Sequence, residues 1–103
     1  PARGGEANKT RPAVIVSNDR ANATASRLGR GVITVVPVTS NIGTIYPFQV
    51  FLPAPDSGLT VDSKAQAEQV RSIAAQRLIR HMGQLSPQQL SELDDTLRLH
   101  LAL

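Results

Sequence analysis

Val32-Ile33-Thr34-Val35-Val36-Pro37-Val38 is a run of seven residues, five of them Val or Ile, and it decides how the chain is read. β-Branched side chains favour extended backbone, and the run is too short for a helix, so it reads as a strand. Pro37 has no N–H to donate to a neighbouring strand, which puts that position at a sheet edge, a bulge or the strand end. Upstream, Ala13-Val14-Ile15-Val16-Ser17 is apolar on both faces and reads as a buried strand that stops at Asn18-Asp19. Between the two, residues 20–31 mix Asn, Thr, Ser, Arg and Gly without a sustained period. Asn22 to Leu28 could make a helical turn, but a loop is the expectation.

Downstream, Thr39-Ser40-Asn41 forms a small polar cluster, Tyr46 to Leu52 reads as a third strand, and Pro53 to Gly58 as a turn-rich connector. Lys64 to Ile73 reads as a fourth extended segment, although its Ala and Gln content also suits a helix. A helical turn over Ala74 to Leu78 and a last strand near Arg80 to Leu85 complete the middle of the chain. The terminal helix has the sharpest boundary: Ser86 is the N-cap, Pro87 the first helical residue, and Gln89 closes a capping box. Leu90, Leu93, Leu97 and Leu101 recur every three or four residues, opposite Glu92, Asp95 and Arg98, and this stripe should pack on the sheet. The expected architecture is α+β, mainly β: a small, strongly bent antiparallel sheet or partly open barrel with a C-terminal helix.

At 103 residues the chain has room for one domain, and a domain this small leaves much apolar surface in water unless a second copy covers it. Eleven Lys and Arg against eight Asp and Glu give a net charge of +3, which favours a polyanionic partner. Nine of the eleven cations are Arg, whose planar fork grips phosphate bidentately where Lys acts as a point charge. With no Cys and only His81 and His100, neither a disulfide framework, a thiolate nucleophile nor a conventional zinc site is available, so no metal and no cofactor is expected. No apolar run approaches the roughly 20 residues that span a bilayer and no signal-peptide pattern opens the chain, so neither membrane association nor export is expected, and the cytoplasm is the expected compartment.

Taken together, Gly4-Gly5-Glu6-Ala7, Arg11-Pro12-Ala13-Val14-Ile15-Val16-Ser17, Val36-Pro37-Val38-Thr39-Ser40, Tyr46-Pro47-Phe48 and Glu68-Gln69-Val70-Arg71-Ser72-Ile73 resemble the MazF/PemK toxin endoribonucleases. The similarity runs through nearly the whole chain in the family's order and spacing. It implies an SH3-like barrel of the CcdB/PemK type, with residues 1–103 as one toxin domain that lacks the strand reading like R-G-E-I-W usually found before the Gly-Glu loop. It also implies metal-independent cleavage of single-stranded RNA at a short sequence. In that reaction the ribose 2′-hydroxyl attacks the adjacent phosphorus and leaves a 2′,3′-cyclic phosphate and a 5′-hydroxyl. A homodimer and neutralisation by an acidic, partly disordered antitoxin are further implications; DNA binding by the toxin itself is not one.

Such a reaction needs a proton acceptor, a cation for the growing phosphorane charge and a donor near the leaving oxygen. By resemblance these are Glu6, Arg11 and Thr39. Arg11 is suited to charge stabilisation because it stays protonated, which also makes it a poor base. Glu6 suits the base by charge type, yet an ordinary surface carboxylate in a loop reads the same way. Asn18, Ser40, Asn41, Gln69 and Arg71 are expected RNA contacts through polar atoms, and Tyr46 and Phe48 through stacking, with burial in the core the competing reading for the two rings. Two alternatives stand beside the nuclease: a CcdB-like toxin that binds DNA gyrase without chemistry, and a passive RNA-binding barrel. Fold cannot separate them.

Overall fold

The computed structural model describes residues 10–28 and 31–103. The elements run β1 (Ala13–Ile15), α1 (Asp19–Leu28), β2 (Val32–Thr39), β3 (Gln49–Leu52), α2 (Ala54–Ser57), β4 (Ser63–Gln66), β5 (Arg71–Ala74) and α3 (Pro87–Leu101), with 3₁₀ turns at Ala67–Gln69 and Ala75–Arg77. The strands lie in the order β1-β2-β4-β3, and β5 also pairs with β2. Every pairing is antiparallel. No β1–β3 ladder joins the two edges, so among the described residues the sheet is bent and open rather than a closed barrel.

The Val32 run forms the spine of this sheet. Val35 opposes Ile15 on one side and Arg71 on the other, and further along Val38 opposes Ala65. Two residues of β2, Val36 and Pro37, therefore face the five residues from Gln66 to Val70, and the 3₁₀ turn takes up the excess. This is a bulge in the sense that more residues stand on one strand than on its partner, and it bends the sheet. Pro37 lies beside it, where a missing N–H costs no ladder bond. The extended segment expected over Lys64–Ile73 is thus β4 and β5, broken by that turn.

Side chains alternate across a strand, so successive residues of β2 face opposite ways. Val36 and Val38 join Val50, Leu52, Ala65, Ala67 and Leu93 in the main core, while Ile33 and Val35 form a smaller cluster with Ile73 and Ala75. The helix α3 covers the first of these faces. Its start is as read: the Ser86 hydroxyl accepts from Gln89 N at 3.1 Å and Gln89 Oε1 accepts from Ser86 N at 2.8 Å. Ser86→Ala removes half of this box and is expected to cost about 1 kcal/mol, within a range of roughly 0.5–2, read as a lower denaturation midpoint with unchanged slope.

Several expectations need correction. β1 is an edge strand with Ala13 and Ile15 exposed and only Val14 partly buried, because nothing pairs on its outer side among the described residues. Residues 19–28 are a helix, not a loop. The Asn22 amide donates to Ser17 O at 3.0 Å, Ser17 Oγ donates to Asn22 Oδ1, and the same Oγ accepts from Thr34 N at 3.2 Å. Tertiary anchoring to β2 thereby overrides the weak propensity of Asn, Thr and Ser. Residues 80–85 pair with no strand among the described residues. Tyr46–Phe48 is a turn ahead of β3, and the Pro53–Gly58 connector contains α2. On α3 the buried face is Gln89, Leu93 and Thr96 with Leu97 partly covered, whereas Leu90 and Leu101 lie at the edge of that face and are exposed. No helix among the described residues is long and apolar enough to cross a membrane.

Candidate active site

The residues N-terminal to β1 continue alongside β2. Ala13 opposes Pro37, and Val38 N donates to Pro12 O at 3.1 Å, so the register carried two residues further sets Arg11 opposite Thr39. Cross-strand partners in an antiparallel pair share a face. On its other side Thr39 opposes Lys64 of β4, and Lys64 opposes Phe51 of β3. Arg11, Thr39, Lys64 and Phe51 therefore form a transverse row across the sheet. Alternation along β2 puts this row on the face away from Val38, Leu93 and the helix.

Arg11 and Thr39 also belong to two shallow clefts at once. One, of about 320 Å³, adds Pro37, Gln66, Gln69 and Arg71, so it is walled by amides and a second guanidinium. The other, of about 330 Å³, adds Thr10, Ser40, Leu59, Thr60, Val61, Ser63 and Met82. Arg11, Val38 and Thr39 line both, and the Arg–Thr pair is taken as the ridge between them. Arg11 is exposed, and no described residue accepts a hydrogen bond from its guanidinium or pairs with it. Thr39 Oγ1 accepts from Asn41 N at 3.2 Å. That bond occupies one lone pair and fixes the rotamer, leaving the O–H free to donate to an incoming oxygen.

Tyr46 and Phe48 stack at 5.5 Å between centroids and 17° between planes, with Tyr46 half exposed. The pair is thus a surface platform in part, and not simply core. Its setting involves residues not singled out from the sequence. Lys64, 7% exposed, donates from Nζ to Thr44 O at 2.6 Å and lies 5.9 Å from the Tyr46 ring centroid. Buried Gln49 accepts from Tyr46 N at 3.1 Å and donates to Glu68 Oε2 at 2.9 Å, while Glu68 Oε1 is buried without a partner among the described residues. Gln66 lines the amide-walled cleft. The signal that could have found them is the polar content of a strand segment: Lys64, Gln66, Glu68 and Gln69 alternate or pair with Ala65, Ala67 and Val70.

Of the residues singled out from the sequence, Arg11, Thr39, Ser40, Gln69 and Arg71 converge on these clefts, and Asn41 supports Thr39. Tyr46 and Phe48 lie beside them. Asn18 does not join them: it follows β1 at the end away from Arg11, where its carbonyl accepts from Asn22 N at 3.1 Å. Glu6 lies outside the described residues. His81 and His100 line neither cleft, and no group of three potential metal ligands occurs among the described residues.

A family model for the PemK-like, MazF-like toxin of type II toxin–antitoxin systems matches residues 1–101. The chain belongs to this family. It is 69% identical over 103 residues to Endoribonuclease MazF9 of Mycobacterium tuberculosis, spanning all of this toxin and 87% of that protein. A solved endoribonuclease in complex with its cognate antitoxin, from a mycobacterial species, superposes with a TM-score of 0.79 at 20% identity, over 100% of this chain and 96% of that one. MazF of Deinococcus radiodurans superposes with a TM-score of 0.68 at 27% identity, over 100% and 86%. The toxin family is one of RNA-cleaving enzymes, which favours the nuclease over gyrase binding.

Proposed function

We propose that this toxin cuts single-stranded RNA with the scissile phosphate held on the Arg11–Thr39 ridge. The observation that carries this is the β1–β2 register, which brings a guanidinium and a hydroxyl from separate strands to one face and one pair of clefts. The 2′-oxygen forms a bond to phosphorus while the bond from phosphorus to the 5′-oxygen breaks. The 2′-hydroxyl proton passes to a base, and the departing 5′-oxygen takes up a proton. Arg11 places fixed donors on the oxygens that gain charge, and Thr39 donates to one of them from a rotamer already set, so little reorganisation accompanies the step. Glu6 is the base in this reading.

Gln69 and Arg71 contact the bases or backbone in the amide-walled cleft, with Ser40 and Asn41 beside the phosphate and the Tyr46–Phe48 platform stacking a neighbouring base. Asn18 contributes only where the RNA extends past the far end of β1. The bent sheet is read as an SH3-like barrel left open. The toxin works in the cytoplasm as a homodimer and is neutralised by an antitoxin whose acidic, partly disordered segment covers the clefts and folds there. Incubation with a long single-stranded RNA in EDTA tests the activity. Discrete cuts ending in cyclic phosphate and 5′-hydroxyl are expected. Intact RNA overturns the reading, and cuts that disappear with EDTA remove its metal-independence.

A further inference from the structure

Lys64 is the one buried cation among the described residues, and the mechanism above gives it nothing to do. It stands on β4 between Thr39 of β2 and Phe51 of β3 and is 7% exposed. Among the described residues its ammonium meets the Thr44 carbonyl at 2.6 Å and the Tyr46 ring, whose centroid is 5.9 Å from Nζ, and no carboxylate pairs with it. A buried ammonium is costly to hold away from water unless fixed groups surround it. Both groups around this one belong to the irregular link between β2 and β3, which carries the aromatic stack. We infer that Lys64 is a positioning residue for RNA binding: its ammonium seats the Tyr46–Phe48 platform beside the Arg11–Thr39 ridge and does not itself touch the substrate. This rests on the ribonuclease reading above and deepens its platform.

The link is held from two directions. Gln49 closes the turn at its downstream end: Gln49 N donates to Tyr46 O at 2.9 Å, Tyr46 N donates to Gln49 Oε1 at 3.1 Å, and Ala67 N donates to Phe48 O at 3.2 Å. Gln49 Nε2 is itself tied to Glu68 Oε2 at 2.9 Å, so the 3₁₀ turn of Ala67–Gln69 backs this hold. None of these bonds reaches upstream of Tyr46. Over residues 42–45 the hydrogen bond from Lys64 to Thr44 O is the only one among the described residues. Gln49 thus sets the shape of the turn, and Lys64 sets where it sits. The long aliphatic stem carries the charge from β4 to the link, and a cation within about 6 Å of a ring centroid attracts the ring.

Two features separate this role from a phosphate contact. The Lys64 ammonium is buried and already donates to a carbonyl, whereas Arg11, the cation of the ridge, is exposed and bonded to no described residue. Tyr46 is half exposed, so the ring and not the ammonium meets what arrives from solvent. A base stacks most tightly on a ring already in place, because ordering a loose ring subtracts from the free energy of binding.

The test is the affinity for a single-stranded RNA that spans a cut site mapped in the EDTA incubation and carries 2′-deoxyribose at the attacking nucleotide, so that binding is read without cleavage. Lys64→Met keeps an unbranched stem and removes the charge, and it is expected to weaken binding about 10-fold, of the order of one lost base–aromatic stack. The slope of log affinity against log salt should keep its wild-type value, since a lost phosphate contact lowers its magnitude by about 0.7 on a single strand. In the Tyr46→Ala background the same substitution should cost less than about 2-fold, because both act through one ring. Tyr46 is the sole Tyr of the 103 residues and there is no Trp, so its fluorescence reports the ring directly, and acrylamide should quench it more in Lys64→Met than in wild type. Should Lys64→Met melt below the assay temperature, Lys64→Gln, neutral but still a donor, carries the same measurements. A fallen salt slope makes Lys64 a phosphate ligand and overturns the inference, as do an unchanged affinity or a loss that adds in full to that of Tyr46→Ala. Tyr46→Ala that binds as wild type does overturns the platform together with its seat. RNA left uncut by the wild-type protein overturns the ribonuclease reading beneath them both.

Discussion

Arg11→Ala is expected to slow cleavage of saturating single-stranded RNA about 10²- to 10³-fold, the effect of removing one preorganised donor from a developing oxyanion, or about 2.7–4 kcal/mol of transition-state stabilisation. Its effect on stability should be close to nothing. The side chain is exposed and bonded to no described residue, and such surface changes stay within roughly 0.5 kcal/mol. The two readouts together separate chemistry from folding. Arg11→Lys keeps the charge and loses the fork, so it should recover part of the binding and little of the rate. If Arg11→Ala cuts at the wild-type rate under single-turnover conditions, Arg11 leaves the mechanism and the ridge with it.

Leu93→Ala should produce the largest loss of stability, about 2–5 kcal/mol, because Leu93 is 1% exposed in the main core, on the face that α3 lays against β3 and the 3₁₀ turn at Ala67–Gln69. For a domain of this size that corresponds to a fall in Tm of more than about 10 °C. Leu101→Ala is the matched control, with the same residue change on the same helix but 49% exposure, and it should shift Tm by no more than a few degrees. A small Leu93 effect, or equal effects at both positions, would mean that α3 is not what closes the core.

What could be read from the residues alone followed the range of the interactions involved. The α3 start was legible because Ser86, Pro87 and Gln89 interact within four residues, and the spine strand was legible because Val and Ile carry their own backbone preference. The helix at Asp19–Leu28 was not, since its stabilisation comes from Ser17 and Thr34, the latter on a different element. The exposed β1 looked buried because an edge strand and a central one can share an apolar composition. Leu90 and Leu101 matched the helical period, yet periodicity gives a face, not its centre.

At the site, Arg11 and Thr39 were available through resemblance, but their juxtaposition depends on a register that only pairing sets. Gln66 and Met82 carried no signal at all. Gln66 is set beside the 3₁₀ bulge, and Met82 lies where the backbone of its loop meets Gly58, at which a Cβ would stand 2.6 Å from the Met82 carbonyl oxygen; both are long-range events.

The spine arrangement has a consequence for how the molecule breathes. Backbone amides of β2 near Val35 are enclosed by strands on both sides and should exchange with deuterium only when the whole domain opens, while β1, paired on one side only among the described residues, can fray on its own. Thr39 is mounted on the slow part and Arg11 on the fast part. Each fraying event therefore parts the two halves of the ridge while the remainder of the protein stays folded, and whatever clamps β1 down, substrate included, also assembles the pair.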